Sequence, residues 1–146
     1  MTEAVVLLVD DEVAFVDTMI RRLDKRGFSV IPAYSGEEAL QKLGGSGGSS
    51  VEVVVLDVKM PGMGGEEALI EIRKKHPLVE VIMLTGHATV DSAIEGMKRG
   101  AFDYLMKPSD MDVLVAKIKS AADKKRAHEE KISQAKAEMI AMRRGD

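Results

Sequence analysis

Five short runs rich in Val, Ile and Leu recur along the chain, at Ala4–Val9, Phe28–Pro32, Val51–Leu56, Val79–Thr85 and Ala101–Met106, and longer stretches of helical period separate them. Runs this short and this uniformly apolar suit strands buried on both faces, and their alternation with helices predicts a parallel sheet covered on each side. Four of the runs end in a chemically loaded residue: VVLLV gives way to Asp10 and Asp11, VVVL to Asp57, VIML to Thr85 and FDYLM to Lys107. In a parallel sheet all of these gather at one end, so three carboxylates, a hydroxyl and a lysine would share one pocket.

The connecting segments carry their own signals. Val13, Val16, Met19, Ile20 and Leu23 lie at helical spacing within Glu12–Arg26, and Gly27 is a stop signal. Three shorter amphipathic stretches are expected near Ser35–Leu43, Gly65–Lys75 and Thr89–Arg99, with Ser35 and Glu38 forming a capping box and His76-Pro77 ending the third helix. Gly44–Ser50 has linker composition and is expected to be a mobile surface loop far from the carboxyl ends of the strands. A tolerated loop insertion explains it more simply than a replaced native loop.

From Asp110 the chain reads as one long helix. Met111, Leu114, Ile118, Ala121, Lys125, His128, Ile132, Ala135, Met139 and Met142 trace a heptad. Beyond about Ala122 the stripe has no partner inside the domain. A dimeric coiled coil is preferred to a solvated helical tail, although Lys125 and His128 in the seam are what a tail would show. The expected division is therefore a domain over 1–122 and a helical extension, a candidate coiled coil, over 123–146.

Length and composition narrow the function classes. A chain of 146 residues fits one domain with a full core, and the absence of cysteine makes a reducing, cytoplasmic setting the expectation. The N-terminus lacks the features of a signal peptide, and no apolar run approaches the roughly 20 residues of a membrane span, so no membrane association is expected. Residues 111–146 hold 9 Lys and Arg against 6 Asp and Glu, but acids interrupt the basic residues and aromatics are missing. That mixture suits a solvated helix face, and no direct nucleic-acid contact is expected.

In an open parallel sheet, ligands bind outside the carboxyl ends of the strands where the strand order reverses. The order 2-1-3-4-5 would bring Asp10, Asp11 and Asp57 together. Three close carboxylates repel unless a cation lies among them, and an all-oxygen donor set suits a hard divalent ion such as Mg2+. Lys107 would add charge on the other side of Asp57, leaving room for a phosphoryl group on that carboxylate within hydrogen-bonding reach of Thr85.

The motifs LLVDDE, VVVLDVKMPGMGG, VIMLTGHA and FDYLMKP, in this order over residues 4–108, resemble the receiver domain of a two-component response regulator. The segment TGHATVDSAIEGMKRGAFDYLMKP most resembles receivers of the nitrogen-regulation and dicarboxylate-transport type, which normally precede an ATPase domain. The resemblance implies a flavodoxin-like (βα)5 doubly wound α/β fold, here with an extended C-terminal helix. It implies a phosphorylation-activated switch rather than an enzyme, with phosphoryl transfer to itself and autodephosphorylation as its only chemistry. Asp57 would be the phosphoacceptor, served by a sensor histidine kinase. Asp10, Asp11, Asp57 and the backbone carbonyl of Lys59 would hold Mg2+. Lys107 would pair with the phosphoryl group, with a cis bond to Pro108. Thr85 and Tyr104 would form a switch pair that reshapes the face of helix four, strand five and helix five. Lys59 and His87 would tune phosphoryl lifetime, and a homodimer is expected on activation. Gly64 departs from the Asp or Asn common at that position, which should loosen the start of helix three.

Taken singly, the residues have duller readings: Asp11 as a helix N-cap, Asp10 as strand-end polarity, Lys107 as a surface charge, Thr85 and Tyr104 as sheet edge. Only the receiver reading accounts for all four motifs together. Two rival functions remain to be weighed. A Mg2+-dependent aspartyl-phosphate phosphohydrolase of the haloacid dehalogenase type carries a second acid two residues after its nucleophile, where this chain has Lys59. A dimerisation module that has lost phosphorylation would lack Asp57 or Lys107, and both are present.

Overall fold

A computed structural model describes residues 3–143. The elements run β1 (Val5–Val9), α1 (Val13–Asp24), β2 (Ser29–Ala33), α2 (Gly36–Gly44), a single 3-10 turn at Gly48–Ser50, β3 (Val53–Leu56), α3 (Gly65–Lys75), β4 (Glu80–Thr85), α4 (Val90–Lys98), β5 (Asp103–Met106) and α5 (Met111–Arg143). All strand pairs are parallel, in the order β2-β1-β3-β4-β5. This is the covered parallel sheet that the alternation predicts, in the doubly wound order that the resemblance implies, with the long final helix expected from Asp110 onward. The last three residues of the 123–146 extension lie outside the described residues.

Period-two alternation splits the central strands between two apolar layers. Leu7, Val9, Val54 and Leu56 pack with Ala39, Leu43, Leu69 and Ile72 of α2 and α3. Val6, Leu8, Val53 and Val55 pack with Val16, Met19 and Leu23 of α1 and with Leu114, Ile118 and Ala121 of α5. Each fully buried Leu or Ile contributes about 1.5–3 kcal/mol, so these layers dominate stability. Helix α4 is different, since Gly96 is its only buried residue and Val90, Ile94 and Met97 stay exposed.

Register positions the site. Val9 pairs with Leu56, so the next residue on each strand, Asp10 and Asp57, emerges side by side at the carboxyl edge. The backbone amide of Asp57 donates to Val9 O at 3.0 Å and that of Asp10 to Ala33 O at 3.0 Å, fixing both at the ends of their ladders.

Several local expectations need correction. Every strand starts one or two residues later than its apolar run, and in strands two and five the positive-φ Gly27 and Gly100 turn the chain just before the run itself. Glu12, rather than Asp11, is the N-cap of α1, and its side chain makes no cap hydrogen bond. Ser35 Oγ accepts from the Glu38 amide at 3.1 Å, but the Glu38 carboxylate accepts from Tyr34 N at 3.0 Å, so the capping box is displaced by one residue. The Gly/Ser segment is not a featureless linker: α2 runs into it, and Gly48 is buried so closely under Leu43 that a Cβ there would lie 2.1 Å from the Leu43 carbonyl oxygen. Packing of α5 on the domain also continues past Ala122. Lys125 is buried at 6% exposure, with its Nζ 3.0 Å from Glu129 Oε1, whereas Ile132, Met139, Ile140 and Met142 are exposed. No helix among the described residues is long and apolar enough to cross a membrane.

Candidate functional site

The carboxyl edge collects the residues that the sequence singled out. Asp10 follows β1 and is 1% exposed, Asp57 follows β3 and is 3% exposed, and Asp11 stands exposed at the rim. One oxygen from each of the three lies within 4.8 Å of the others. Lys107 follows β5 and reaches back over the sheet, with its backbone amide donating to Thr85 O at 2.9 Å. Its peptide bond to Pro108 is cis.

The geometry within the pocket is uneven. Asp10 Oδ1 accepts from Glu12 N at 2.9 Å and Asp10 Oδ2 accepts from Lys107 Nζ at 2.5 Å. Asp57 Oδ1 accepts from its neighbour Val58 N at 2.8 Å, while Asp57 Oδ2 lies 3.8 Å from the Lys107 ammonium. The lysine therefore leans on Asp10 and leaves Asp57 as the less engaged carboxylate. The exposed Glu12 carboxylate is also near, at 3.6 Å. Close backbone packing frames the pocket, since a Cβ on Gly65 would meet the Asp57 carbonyl oxygen at 1.9 Å.

The charges respond to burial. Burial pushes the Asp10 carboxyl above its ordinary value and the Asp57 charge adds to this, although the Lys107 hydrogen bond and the Glu12 amide oppose them. Burial pulls the Lys107 ammonium down, but its hydrogen bond to Asp10 and the charges of Asp10, Asp57 and Glu12 outweigh that, and the net direction is up. Lys107 is the only basic side chain within 4 Å of these acids among the described residues. One ammonium against four carboxylates leaves the pocket net negative, and the donors are all hard oxygens. A divalent cation of the Mg2+ kind fits that donor set.

The other candidates lie around this centre. Thr85 is fully buried at the end of β4, and its Oγ1 accepts from His87 N at 3.0 Å. Lys59 and His87 are exposed on the flanking loops, and among the described residues neither side chain is bonded to Asp57 or Thr85. Tyr104 is half-buried on β5, with its ring against Gly96 and its hydroxyl 2.8 Å from Ser92 Oγ. Ser92 went unnoticed in the sequence, yet Thr89 and Ser92 form a true capping box at the start of α4. Phe15 and Glu12, both neighbours of Lys107, carry no signal of that role in the sequence. A larger open hollow, about 490 Å³ between the Gly44–Gly48 segment, His76–Val79 and Lys125, lies at the opposite end of the sheet. It collects no comparable set of charges, because Lys125 and Glu129 neutralise each other.

A buried aspartate flanked by two acids and a lysine, at the switch point of a 2-1-3-4-5 parallel sheet, defines a class of acidic-pocket α/β domain built around one reactive carboxylate. Residues 6–119 match the response regulator receiver domain, and the chain belongs to that family as the receiver of a two-component response regulator. It is 35% identical over 121 residues to the DNA-binding transcriptional regulator NtrC of Escherichia coli, covering 83% of this chain and 25% of that protein. It is 32% identical over 137 residues to the transcriptional regulatory protein ZraR of Klebsiella oxytoca, covering 94% of this chain and 30% of that one. The chain thus spans about a quarter of the length of these curated relatives. Among solved structures, a response regulator receiver domain protein from Clostridium thermocellum superposes with a TM-score of 0.80 at 38% identity, covering 85% of this chain and 98% of the other. A chain described as an adenylate cyclase from Rhodopirellula baltica gives a TM-score of 0.83 at 31% identity, covering 93% and 98%.

Proposed function

We propose that Asp57 accepts a phosphoryl group from the phosphohistidine of a sensor histidine kinase, and that this chain works as a phosphorylation-activated switch. The observation that carries the reading is the buried Asp57 carboxylate, held 3.8 Å from Lys107 and within 4.8 Å of oxygens from Asp10 and Asp11. In transfer, a P–N bond to the kinase histidine breaks as a P–O bond to Asp57 forms. Water later releases inorganic phosphate and restores the carboxylate. Asp10, Asp11, Asp57 and the Lys59 carbonyl would hold Mg2+, which when bound would neutralise charge between the acids and the phosphoryl oxygens. Lys107 would take the oxygens on the other flank, Thr85 would hydrogen-bond one of them, and Lys59 and His87 would set how water reaches the acyl phosphate.

The output would pass through Thr85 and Tyr104 to the face of α4, β5 and α5. That face already carries exposed Val90, Ile94, Met97, Met106 and Val113. Self-association through this face and the extension is the proposed consequence, with 1–122 as the switch, 123–146 as the coiled-coil element and the cytoplasm as the setting. No nucleic-acid contact by this segment is proposed, and its only catalysis is on its own aspartate.

Incubation with acetyl phosphate and Mg2+ tests the reading. One phosphoryl group per chain is expected, and none on the Asp57→Asn variant. Full labelling of that variant, or many turnovers of a small phosphomonoester per chain, would defeat it. Light scattering with and without beryllofluoride and Mg2+ tests the association separately, and an unchanged mass would remove that claim alone.

A further inference from the structure

We propose that Phe15 is a positioning residue for Lys107, holding the ammonium in the pocket while it changes partner from Asp10 to the group carried by Asp57; this rests on the phosphoacceptor reading above. The Lys107 Nζ lies over the Phe15 ring, 4.1 Å from its centroid. That is the range of a cation–π contact, and partial burial strengthens it. The lysine side chain is only 13% exposed. Phe15 is one of three phenylalanines in a chain with two tyrosines and no tryptophan, so an aromatic ring at the pocket edge is a scarce choice. The half-buried position in the first turn of α1 could be filled by Leu or Met if packing alone were required.

Competition among the acids explains why a ring is needed. Lys107 is bonded to Asp10 at 2.5 Å and must close from 3.8 Å to about 2.8 Å to serve Asp57 directly. Glu12, at 3.6 Å and with a side chain 67% exposed, pulls outward toward solvent. Ring attraction is spread over the π face, so the ammonium keeps it while exchanging one carboxylate for another. A hydrogen-bonding partner in the same place would tether it. Beside the ammonium, a hollow of about 80 Å³ is lined mainly by the apolar side chains of Phe15, Met19, Leu84, Met111 and Leu114, with Arg22 and Ser109 as its polar members, so it offers the lysine no competing carboxylate on that side.

The test compares Phe15→Leu, which keeps apolar bulk, with Phe15→Tyr, which keeps the ring. Labelling by acetyl phosphate is expected to slow roughly tenfold in F15L and to stay near the wild-type rate in F15Y. Adding Glu12→Gln to F15L should recover part of the rate, because the outward pull is gone, whereas a packing defect would not respond. Independently of phosphorylation and of Mg2+, the Lys107 ε-methylene protons should show an upfield ring-current shift in wild type and F15Y and lose it in F15L. Wild-type labelling by F15L, or unshifted ε-methylene protons in wild type, overturns the assignment of Phe15 and leaves Asp57 as the acceptor. A wild-type chain that takes no label overturns the acceptor reading and this inference with it.

Discussion

The Tyr104 hydroxyl lies 2.8 Å from Ser92 Oγ, and that same oxygen accepts from Thr89 N at 3.0 Å to close the capping box of α4. The position of the tyrosine hydroxyl and the first turn of α4 are therefore joined through one atom. Ser92→Ala should cost about 1–2 kcal/mol, since it removes the acceptor of the Thr89 amide, the reciprocal half of the capping box, together with the phenol's partner, while Thr89 Oγ1 still accepts from the amide of residue 92. Tyr104→Phe should cost about 1 kcal/mol or less. The double variant should be no less stable than Ser92→Ala alone, within about 0.5 kcal/mol, because the phenol has no further partner to lose. Urea unfolding of the four proteins decides it, and simple additivity would mean that the two groups do not act together. Hydrogen exchange in the first turn of α4 should quicken in Ser92→Ala and in the double variant, and not in Tyr104→Phe.

Gly96 sits beneath the same ring, and a Cβ there would stand 3.0 Å from Tyr104 Cδ2. In an open helix, Gly→Ala gains about 1 kcal/mol. Here the gain should be cancelled by displacing the ring, so Gly96→Ala should leave stability flat or reduced and shift the Tyr104 ring resonances. A full propensity gain with an unmoved ring would show that the contact is slack.

Lys107 neutralises part of a buried acid cluster, and removing it should be expensive until another cation arrives. Without divalent ions, Lys107→Ala should lose about 3 kcal/mol, the usual cost of stranding a buried charge. Added Mg2+ should raise its melting temperature by more than it raises that of wild type, because the proposed site would bind the ion in the folded chain and not in the unfolded one. Burial holds the Asp10 carboxyl above its ordinary 3.8, so proton and Mg2+ compete and affinity should fall as the pH drops toward that raised value. Calorimetric titration across acidic pH measures this, and a pH-independent affinity would remove Asp10 from the ligand set.

What could be read from the sequence was whatever depends on strand ends. In a parallel sheet the residue after each apolar run must emerge at the same edge, so Asp10, Asp57, Thr85 and Lys107 were legible from their positions alone. Partnerships between elements were not. Whether Lys107 prefers Asp10 to Asp57 turns on about 1 Å in the reach of a long side chain. Ser92 was overlooked because Ser at the third position of a helix mimics Glu in a capping box only when its rotamer turns back to the cap. The burial of Lys125 inverted a sequence rule: it lines the hollow shared with Gly45 and Leu78 while Glu129, one turn later, pairs with its charge.

Arg126 marks where α5 leaves the domain, and its role is testable by pH. Its Nε donates to Glu52 Oε2 at 2.5 Å, and its Nη2 donates to Glu52 Oε1 at 3.0 Å and to Glu3 O at 2.9 Å, tying the helix to the start of the sheet. Burial raises the Glu52 carboxyl, but the Arg126 hydrogen bond, the Val5 amide and the charges of Arg126 and Lys125 outweigh it, so Glu52 sits below its ordinary 4.5. A depressed carboxylate stabilises the fold above its unfolded value, and that contribution is lost as the pH falls through the folded one. Arg126 is half exposed, which limits the expected cost of Arg126→Ala to about 1 kcal/mol at neutral pH. The urea midpoints of wild type and variant should therefore differ from pH 7 down to about 4.5 and converge below it. Amide exchange just beyond residue 126 should also quicken in the variant, because the extension would lose the anchor that starts it in a fixed direction. A midpoint difference that persists unchanged into acid would mean that Arg126 acts through packing of its stem and not through Glu52.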